Sequence, residues 1–494
     1  VPPLQWPAGL IRIKARHGEA WDPAGMDTQP ASAASLGWNF DPELLRRHDR
    51  PGPRYTSYPT APQFHDRFGV DQLTAAAARS NASGRPLSLY VHVPFCTSPC
   101  FYCGCNRVIT RDHRRGQAYV ERLLAEAAQM AALFGPCREV VQLHFGGGTP
   151  NFLSPQQLQQ LVAGLRRLFR FSADASRDIS IELDPRMITP AQVAELGAIG
   201  FNRASLGVQD INPAVQQAIN RIQPLEQTVA VMTACRQHGL RSVNVDLIYG
   251  LPSQTLAGFA QTVDAMLQQR PERLAIYGYA HLPHLFRAQR QIIEADLPSA
   301  EDKLALLGIA VEKLTAAGYQ YIGLDHFALP DDPLAIAQRQ GQLHRNFMGY
   351  TTHAQTDLIG LGVSAISHID SSYSQNPREL PAWEVAVDEG RLPVWRGMEL
   401  SADDQVRAAL VQELMCHGQL DIAEFERRHQ LVFADYFAAD LQRLQALQDD
   451  GLARISNGVI AATEWGRPLL RLLAMCFDPY LHDQRSTQRY SRAI

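Results

Sequence analysis

From about residue 85 the chain alternates short apolar runs with longer stretches in which apolar residues recur every three or four positions. Short runs bounded by glycine, proline or polar turns predict strands. They fall at 87–95, 140–145, 179–183, 203–208, 242–248, 273–279 and 319–324. Helical spacing occupies 115–133, 154–169, 190–197, 225–237, 258–269 and 303–317. Some of these carry their own start and stop signals, such as Ser154 before Pro155 and Gly239 after the helix over 225–237. Strand, crossover helix and strand imply parallel neighbours. Six or so such units predict an α/β fold, a partial (β/α)6 barrel with additional strands. Sites in barrels of this kind lie where the strands end at their carboxyl side.

Beyond residue 400 the pattern changes. Helical stretches at 404–417, 422–429 and 436–449 precede two short runs, 452–455 and 459–463, around Asn457-Gly458. That dipeptide is a type I′ hairpin signal. Three helices and a wing predict a mostly helical, winged-helix-like C-terminal domain, an order that invites a DNA-binding reading. The stretch over 436–449 is not basic, which argues against it. A lid or cap over the barrel fits better.

Composition narrows the classes. The 494 residues are 46% hydrophobic and 19% charged, with net charge −4. Nothing in that balance calls for nucleic acid or a membrane surface as partner. No run approaches the ~20 apolar residues of a transmembrane helix, and no secretory signal is visible. A cytoplasmic protein is expected, with a monomer as the default. The first 40 or so residues are rich in proline, alanine and glycine, the composition of a disordered segment. The chain opens on Val1 while a methionine stands at Met26, so a start read too far upstream is expected.

Against this background the cysteines stand out. Only eight occur, yet three sit together as Cys96-Thr-Ser-Pro-Cys100-Phe-Tyr-Cys103. Three thiolates so spaced can hold an iron–sulfur cube by three irons and leave the fourth open, whereas electron-transfer clusters take four cysteines. Zinc is the main rival, but it favours C-x2-C pairs with a distant second pair. Cys137, Cys235, Cys416 and Cys476 are scattered singles. A disulfide framework suits small oxidised domains rather than a chain of this length. Cys105 follows two residues on and needs its own explanation. The cysteine loop follows the first strand, and Gly146-Gly147-Gly148-Thr149-Pro150 follows the second, so both belong to one rim.

Together these features resemble the radical S-adenosylmethionine enzymes, in which the open iron is chelated by the amino and carboxylate groups of S-adenosylmethionine. A glycine turn there would let backbone groups approach the methionine amine. A narrower resemblance rests on longer motifs. Pro51-Gly-Pro-Arg-Tyr-Thr-Ser-Tyr-Pro59, Cys103-Gly-Cys105-Asn106, Asp246-Leu-Ile-Tyr-Gly-Leu-Pro252, Tyr279-Ala-His-Leu-Pro283 and His344-Arg-Asn-Phe with Tyr350-Thr-Thr look like the oxygen-independent coproporphyrinogen III oxidases. Cys476-Phe-Asp and the closing Tyr490-Ser-Arg belong to the same likeness, which runs from about residue 48 to the end.

The resemblance implies two propionates of coproporphyrinogen III decarboxylated to vinyls, giving protoporphyrinogen IX. It implies one 4Fe–4S cluster on Cys96, Cys100 and Cys103, and two molecules of S-adenosylmethionine. Tyr90, Gly147, Glu182 and Ile366 match contacts to the first, and Tyr102, Gly148, Thr149, Gln209, Arg221, Asp246 and Ala280 to the second. Cys105 matches a family cysteine that is not a ligand, near substrate or simply packed. The substrate's carboxylates need cationic partners, for which Arg54 and Arg345 are the candidates. A flavodoxin- or ferredoxin-like donor and an unidentified electron acceptor complete the expected partners.

The expected layout is a leader over 1–47, a substrate-associated segment over 48–80, the radical S-adenosylmethionine core over 81–317, an extension over 318–400 and the C-terminal domain over 401–494. Two rivals remain at this point. One is a haem-handling relative without oxidase activity, in which the Cys105 position is often aromatic and the Arg54-Tyr-Thr-Ser-Tyr segment is absent. The other is a DNA-binding redox sensor, which leaves the barrel unexplained.

Overall fold

A computed structural model describes residues 41–482. The expectations for the leader, for the start at Val1 or Met26, and for the closing Tyr490-Ser-Arg lie largely or wholly outside the described residues.

The apolar runs form six parallel strands: β1 (Leu87–Val93), β2 (Glu139–Gly147), β3 (Asp178–Leu183), β4 (Arg203–Gln209), β5 (Ser242–Tyr249) and β6 (Arg273–Gly278). Each pairs with the next in chain order. The period of two along a strand sorts the residues. Leu89, Val91, Leu143, Phe145, Ile179 and Ile181 turn outward into one buried core. Their neighbours Gln142, His144, Ser180, Glu182, Ser205, Asn244 and Asp246 face inward and line cavities. The barrel lumen is therefore polar while its coat is apolar. Ser154, Thr189, Ser299 and Ser401 each cap a following helix through a capping box.

After the helix Ala300–Ala316 the alternation implies another parallel strand. The chain instead makes a tight hairpin, β7 (Gln320–Gly323) and β8 (His326–Ala328), and β8 runs antiparallel to β6. Only residues 324 and 325 separate the two runs, too few for a crossover, which takes a dozen or more residues. Parallel pairing resumes at the opposite side of the barrel. The hairpin β9 (His344–Asn346) and β10 (Gly349–Thr351) leads to β11 (Asp357–Leu361), which lies parallel to β1. An antiparallel meander, β12 (Ile366–Ile369), β13 (Ser372–Gln375) and β14 (Arg396–Glu399), continues the sheet.

A buried carboxylate ties this late strand to the early helix Arg114–Ala131. Glu126, 1% exposed, accepts from the Gly362 N–H at 2.8 Å, Asn376 Nδ2 at 2.6 Å and Trp383 Nε1 at 3.1 Å.

In the C-terminal region the helices Ala402–His417 and Ile422–His429 stand as expected. The expected third helix over 436–449 stands as Ala438–Asp449, preceded by a separate short helix, Phe433–Tyr436. The break falls at Phe437, which is fully buried against Phe425, Phe433 and Phe477. Asn457 and Gly458 take φ of 52° and 75° between the strands Ala453–Ser456 and Val459–Ala462, the turn their sequence calls for. Arg443, the lone basic residue of Ala438–Asp449, is engaged by Asp440 and the Cys476 carbonyl. The segment after residue 50 packs against this region. Tyr55 and Tyr58 share a cluster with Val411, Met415, Leu470 and Ala474, and the Tyr55 hydroxyl donates to Asp478 Oδ2 at 2.9 Å. No described helix is long and apolar enough to cross a membrane.

Candidate active site at the carboxyl rim of the barrel

The cysteine loop leaves β1 and is pinned on both sides. The Phe101 N–H donates to the Ile219 carbonyl at 3.0 Å, Asn220 Nδ2 to the Pro99 carbonyl at 2.8 Å, and Gln289 Nε2 to the Tyr102 carbonyl at 2.9 Å. Cys96, Cys100 and Cys103 all border one cavity of about 260 Å³ at the strand ends. Among the described residues, no three His, Cys, Asp or Glu side chains converge on a point that would hold a single metal ion. Arg107 braces the loop, donating from Nη1 to the Cys103 carbonyl at 2.9 Å. The Cys105 N–H lies 3.4 Å from Cys103 Sγ. Hydrogen bonding from Cys105, together with the charge of Arg107, brings the Cys103 thiol down to about 6 despite its burial.

The glycine turn after β2 has a packing cause as well as a site role. Gly147 has φ +119°, and a Cβ there would meet the His92 ring at 2.7 Å. A Cβ on Gly148 would meet the Pro94 carbonyl at 2.5 Å. The turn thus lies directly on the end of β1, and Gly148 and Thr149 reach the cavity wall. Thr149 Oγ1 is 3.2 Å from Cys96 Sγ.

Below the turn the lumen side chains hold one another. His92 Nε2 faces the Asn106 carbonyl at 3.0 Å and must carry the proton, so Nδ1 accepts from the Tyr90 hydroxyl at 3.1 Å. Burial lowers the pKa of this imidazole and keeps it neutral. Glu182 Oε2 accepts from the Gly147 N–H at 3.2 Å and Oε1 lies 3.4 Å from His144 Nε2. Tyr90 stacks on His144, with Gly360 of β11 as its strand partner and the Ile366 backbone against Gly360. Tyr90, Glu182, Gly147 and Ile366 are therefore gathered on one flank of the rim.

The opposite flank is built by β3 to β5. Gln209 ends β4 with φ +69° beside a register shift, which turns its side chain to the cavity. Asp246 also borders the cavity, its oxygens held by Ser205 Oγ at 3.0 Å and Asn244 Nδ2 at 2.8 Å. Burial, then the nearby Glu182 charge, raises it to about 7. Arg221 is 5% exposed. Its Nη1 donates to Asp184 at 3.0 Å and its Nη2 to the Gly207 carbonyl at 2.6 Å, while the buried Nε meets no partner among the described residues. Tyr102 shares this flank, and Ala280 follows β6, its carbonyl accepting from Gln289.

Three residues of the site escaped the sequence reading. Asp184 serves both Arg221 and Arg186, and each arginine also reaches Cys100 Sγ, at 3.7 and 3.8 Å. Arg107 is the third. Asp184-Pro185-Arg186 reads in sequence as a strand-ending turn, and the only available signal was its position after β3. Arg54 and Arg345 do not border the cysteine cavity. They lie together farther in, where Arg54 pairs with Asp325 and Arg345 covers the Tyr350 ring.

The donor set suits a cluster with an open iron and an adenosyl ligand: three thiols on one cavity wall, a backbone turn with N–H groups, buried carboxylates and a guanidinium with an unused N–H.

Comparison with known proteins gives the chain its relatives. The sequence model described as the Radical SAM superfamily matches residues 90–266, and that described as the HemN C-terminal domain matches residues 400–469. The oxygen-independent coproporphyrinogen III oxidase of Escherichia coli is 47% identical over 463 residues, 94% of this chain and all of the relative. That of Pseudomonas aeruginosa is 48% identical, covering 92% of this chain and 99% of the relative. The solved Escherichia coli structure, described as coproporphyrinogen III oxidase (HemN), a radical SAM enzyme, superposes with a TM-score of 0.85 at 46% identity over 90% of this chain and all of that one.

Proposed function

The chain belongs to the oxygen-independent coproporphyrinogen III oxidases, and on that premise we propose how its residues share the reaction. The activity is the anaerobic oxidative decarboxylation of two propionates of coproporphyrinogen III to vinyls, giving protoporphyrinogen IX. Each propionate gives up a hydrogen atom from its β-carbon, then carbon dioxide and one electron, which passes to an acceptor. Cys96, Cys100 and Cys103 would hold a 4Fe–4S cluster beside S-adenosylmethionine, and together these would supply the one-electron chemistry that removes the hydrogen.

The residues at the rim bind and orient. Tyr90, Gly147, Glu182 and Ile366 hold the first S-adenosylmethionine. Tyr102, Gly148, Thr149, Gln209, Arg221, Asp246 and Ala280 hold a second. Glu182 and Asp246 provide acceptors on facing strands, and Arg221, kept charged by Tyr102 and Asp184 against its burial, provides a fixed cation. Cys105 stays off the cluster and faces the substrate side. A low-potential donor such as flavodoxin or ferredoxin feeds a cytoplasmic monomer.

The observation that supports this best is the cysteine triplet, with Asp246 and Arg221, at one cavity on the strand ends of a chain nearly half identical to named oxidases over almost its whole length. The test is anaerobic turnover of the reconstituted protein with S-adenosylmethionine, a low-potential reductant and coproporphyrinogen III. Mass analysis should show loss of two carbon dioxide units. Cofactor cleavage without vinyl product would move the assignment to a haem-handling relative.

A further inference from the structure

Arg345 stands in β9 and is 5% exposed. Its guanidinium carbon lies 4.7 Å from the centre of the Tyr350 ring, its partner across the hairpin. Its Nε and Nη1 are buried and meet no hydrogen-bond partner among the described residues. A buried guanidinium left in this state carries an uncompensated desolvation cost. The charges around it make matters worse. Arg54 and Arg471 lie close by, and burial, then Arg345 and Arg471, pull Arg54 down to about 10. The other two are provided for: Arg54 pairs with Asp325, and Arg471 donates from Nη1 to the Gly52 carbonyl at 3.1 Å. Arg345 is the member whose donors remain unused.

Its surroundings connect to the chemistry. Tyr350, Tyr277 and His326 line an inner cavity of about 170 Å³. Glu182, Ser205 and Asp246 border both this cavity and the one at the cysteines. His326 lies between Tyr277 and Tyr350, edge-on to both, and its buried Nδ1 also lacks a partner. Burial, then Arg345 and Arg54, hold this ring neutral. A site with unused N–H donors and surplus positive charge selects a carboxylate.

We propose that Arg345 is a specificity-determining anchor for a carboxylate of the substrate, a propionate that is not being decarboxylated. Nε and Nη1 are each a donor free to meet a carboxylate oxygen, and Arg54 and Arg471 add the surrounding positive charge. The reacting propionate then extends past Asp246 and Glu182 to the cysteine cavity. This rests on the oxidase reading above, and it distinguishes a porphyrinogen that carries propionates from one that carries none.

The test uses reconstituted holoprotein carrying Arg345→Met or Arg345→Lys. Three quantities are measured under anaerobic conditions: affinity for coproporphyrinogen III, affinity for S-adenosylmethionine, and unfolding temperature without substrate. Arg345→Met should weaken substrate binding about tenfold or more, as a charge-assisted hydrogen-bonded pair is lost. It should leave S-adenosylmethionine affinity unchanged and leave the unfolding temperature equal or higher, since an unpaired buried charge is removed. Arg345→Lys should recover part of the binding. Unchanged substrate affinity in Arg345→Met overturns the proposal. So does a loss of S-adenosylmethionine affinity, which would give the carboxylate to the cofactor, or a lowered unfolding temperature that Arg345→Lys restores without restoring binding. If the wild-type protein makes no vinyl product, the oxidase reading fails instead.

Discussion

Glu126 and Arg345 are two ionisable side chains buried to nearly the same depth, and the protein treats them in opposite ways. Around Glu126 three N–H donors from residues 362, 376 and 383 close on the two oxygens, joining a helix, a strand end and a second helix. Around Arg345 donors are left unused and like charges crowd in. Satisfied burial marks a seam of the fold, and unsatisfied burial marks a surface built for something that arrives later. The rim residues follow the second pattern in milder form: Arg221 has two of its nitrogens engaged and one unused.

The contrast can be broken by experiment, because damage at the rim should remove chemistry and spare the fold, while damage at the seam should do the reverse. The largest effect is expected at the cysteines. Cys103→Ser should abolish iron–sulfur absorption and product formation and leave apo-protein unfolding unchanged. Cys105→Ser should retain the absorption. Equal loss in both variants would show that the ligand assignment is wrong.

At the seam, Glu126→Ala orphans the buried Gly362 and Trp383 donors, each costing about 1–3 kcal/mol, and takes one of two acceptors from Asn376 Nδ2. Denaturant titration should show a loss of about 3 kcal/mol or more, with turnover per folded molecule intact. A stable Glu126→Ala protein that has lost turnover would erase the distinction between the two regions.

A finer probe is pH. Burial raises Glu126 from 4.5 to about 7, against the pull of its Gly362, Asn376 and Trp383 donors. Between those values the folded state binds more protons than the unfolded one. The stability tied to this group is therefore full below about 4.5 and declines as pH rises through about 7. Glu126→Gln should flatten that part of the stability–pH curve, and an unaltered slope would show that other groups set it. The smallest effect is expected where the N-terminal segment meets the C-terminal region. Tyr55→Phe removes one buried hydrogen bond to Asp478, worth about 1 kcal/mol, because Asp478 keeps the Tyr480 N–H.

How far the sequence carried the reading follows from the range of the signals. The strands, their order and the cysteine rim were legible because a period of two, a helical period and short-range turn residues are local. The Asn457-Gly458 turn was legible for the same reason. The antiparallel turn-back after Gly323 was not, since a run as short as Gln320–Gly323 reads alike in either direction. Nor was the break at Phe437, where burial among three other phenylalanines overrides helix continuity. Glu126 reads as a solvent-facing helix residue, and its three partners lie more than 200 positions away in the chain. Asp184 and Arg186 read as a turn and only in three dimensions meet Arg221 and Cys100. For Arg345 the residue type was visible, but its burial without a partner was not.

One consequence of the sheet order concerns how the molecule is made. β1, which carries the cysteine loop, pairs on one flank with β2 and on the other with β11, so residues 87–91 wait for residues 357–361. During synthesis that flank is an open edge until residues 357–361 have been made. Contacts so distant in sequence also form slowly. The wall carrying Gly360 and Ile366 is thus the last part of the rim to be laid, and in a nascent chain Cys96, Cys100 and Cys103 stand beside an edge that this wall has not yet closed.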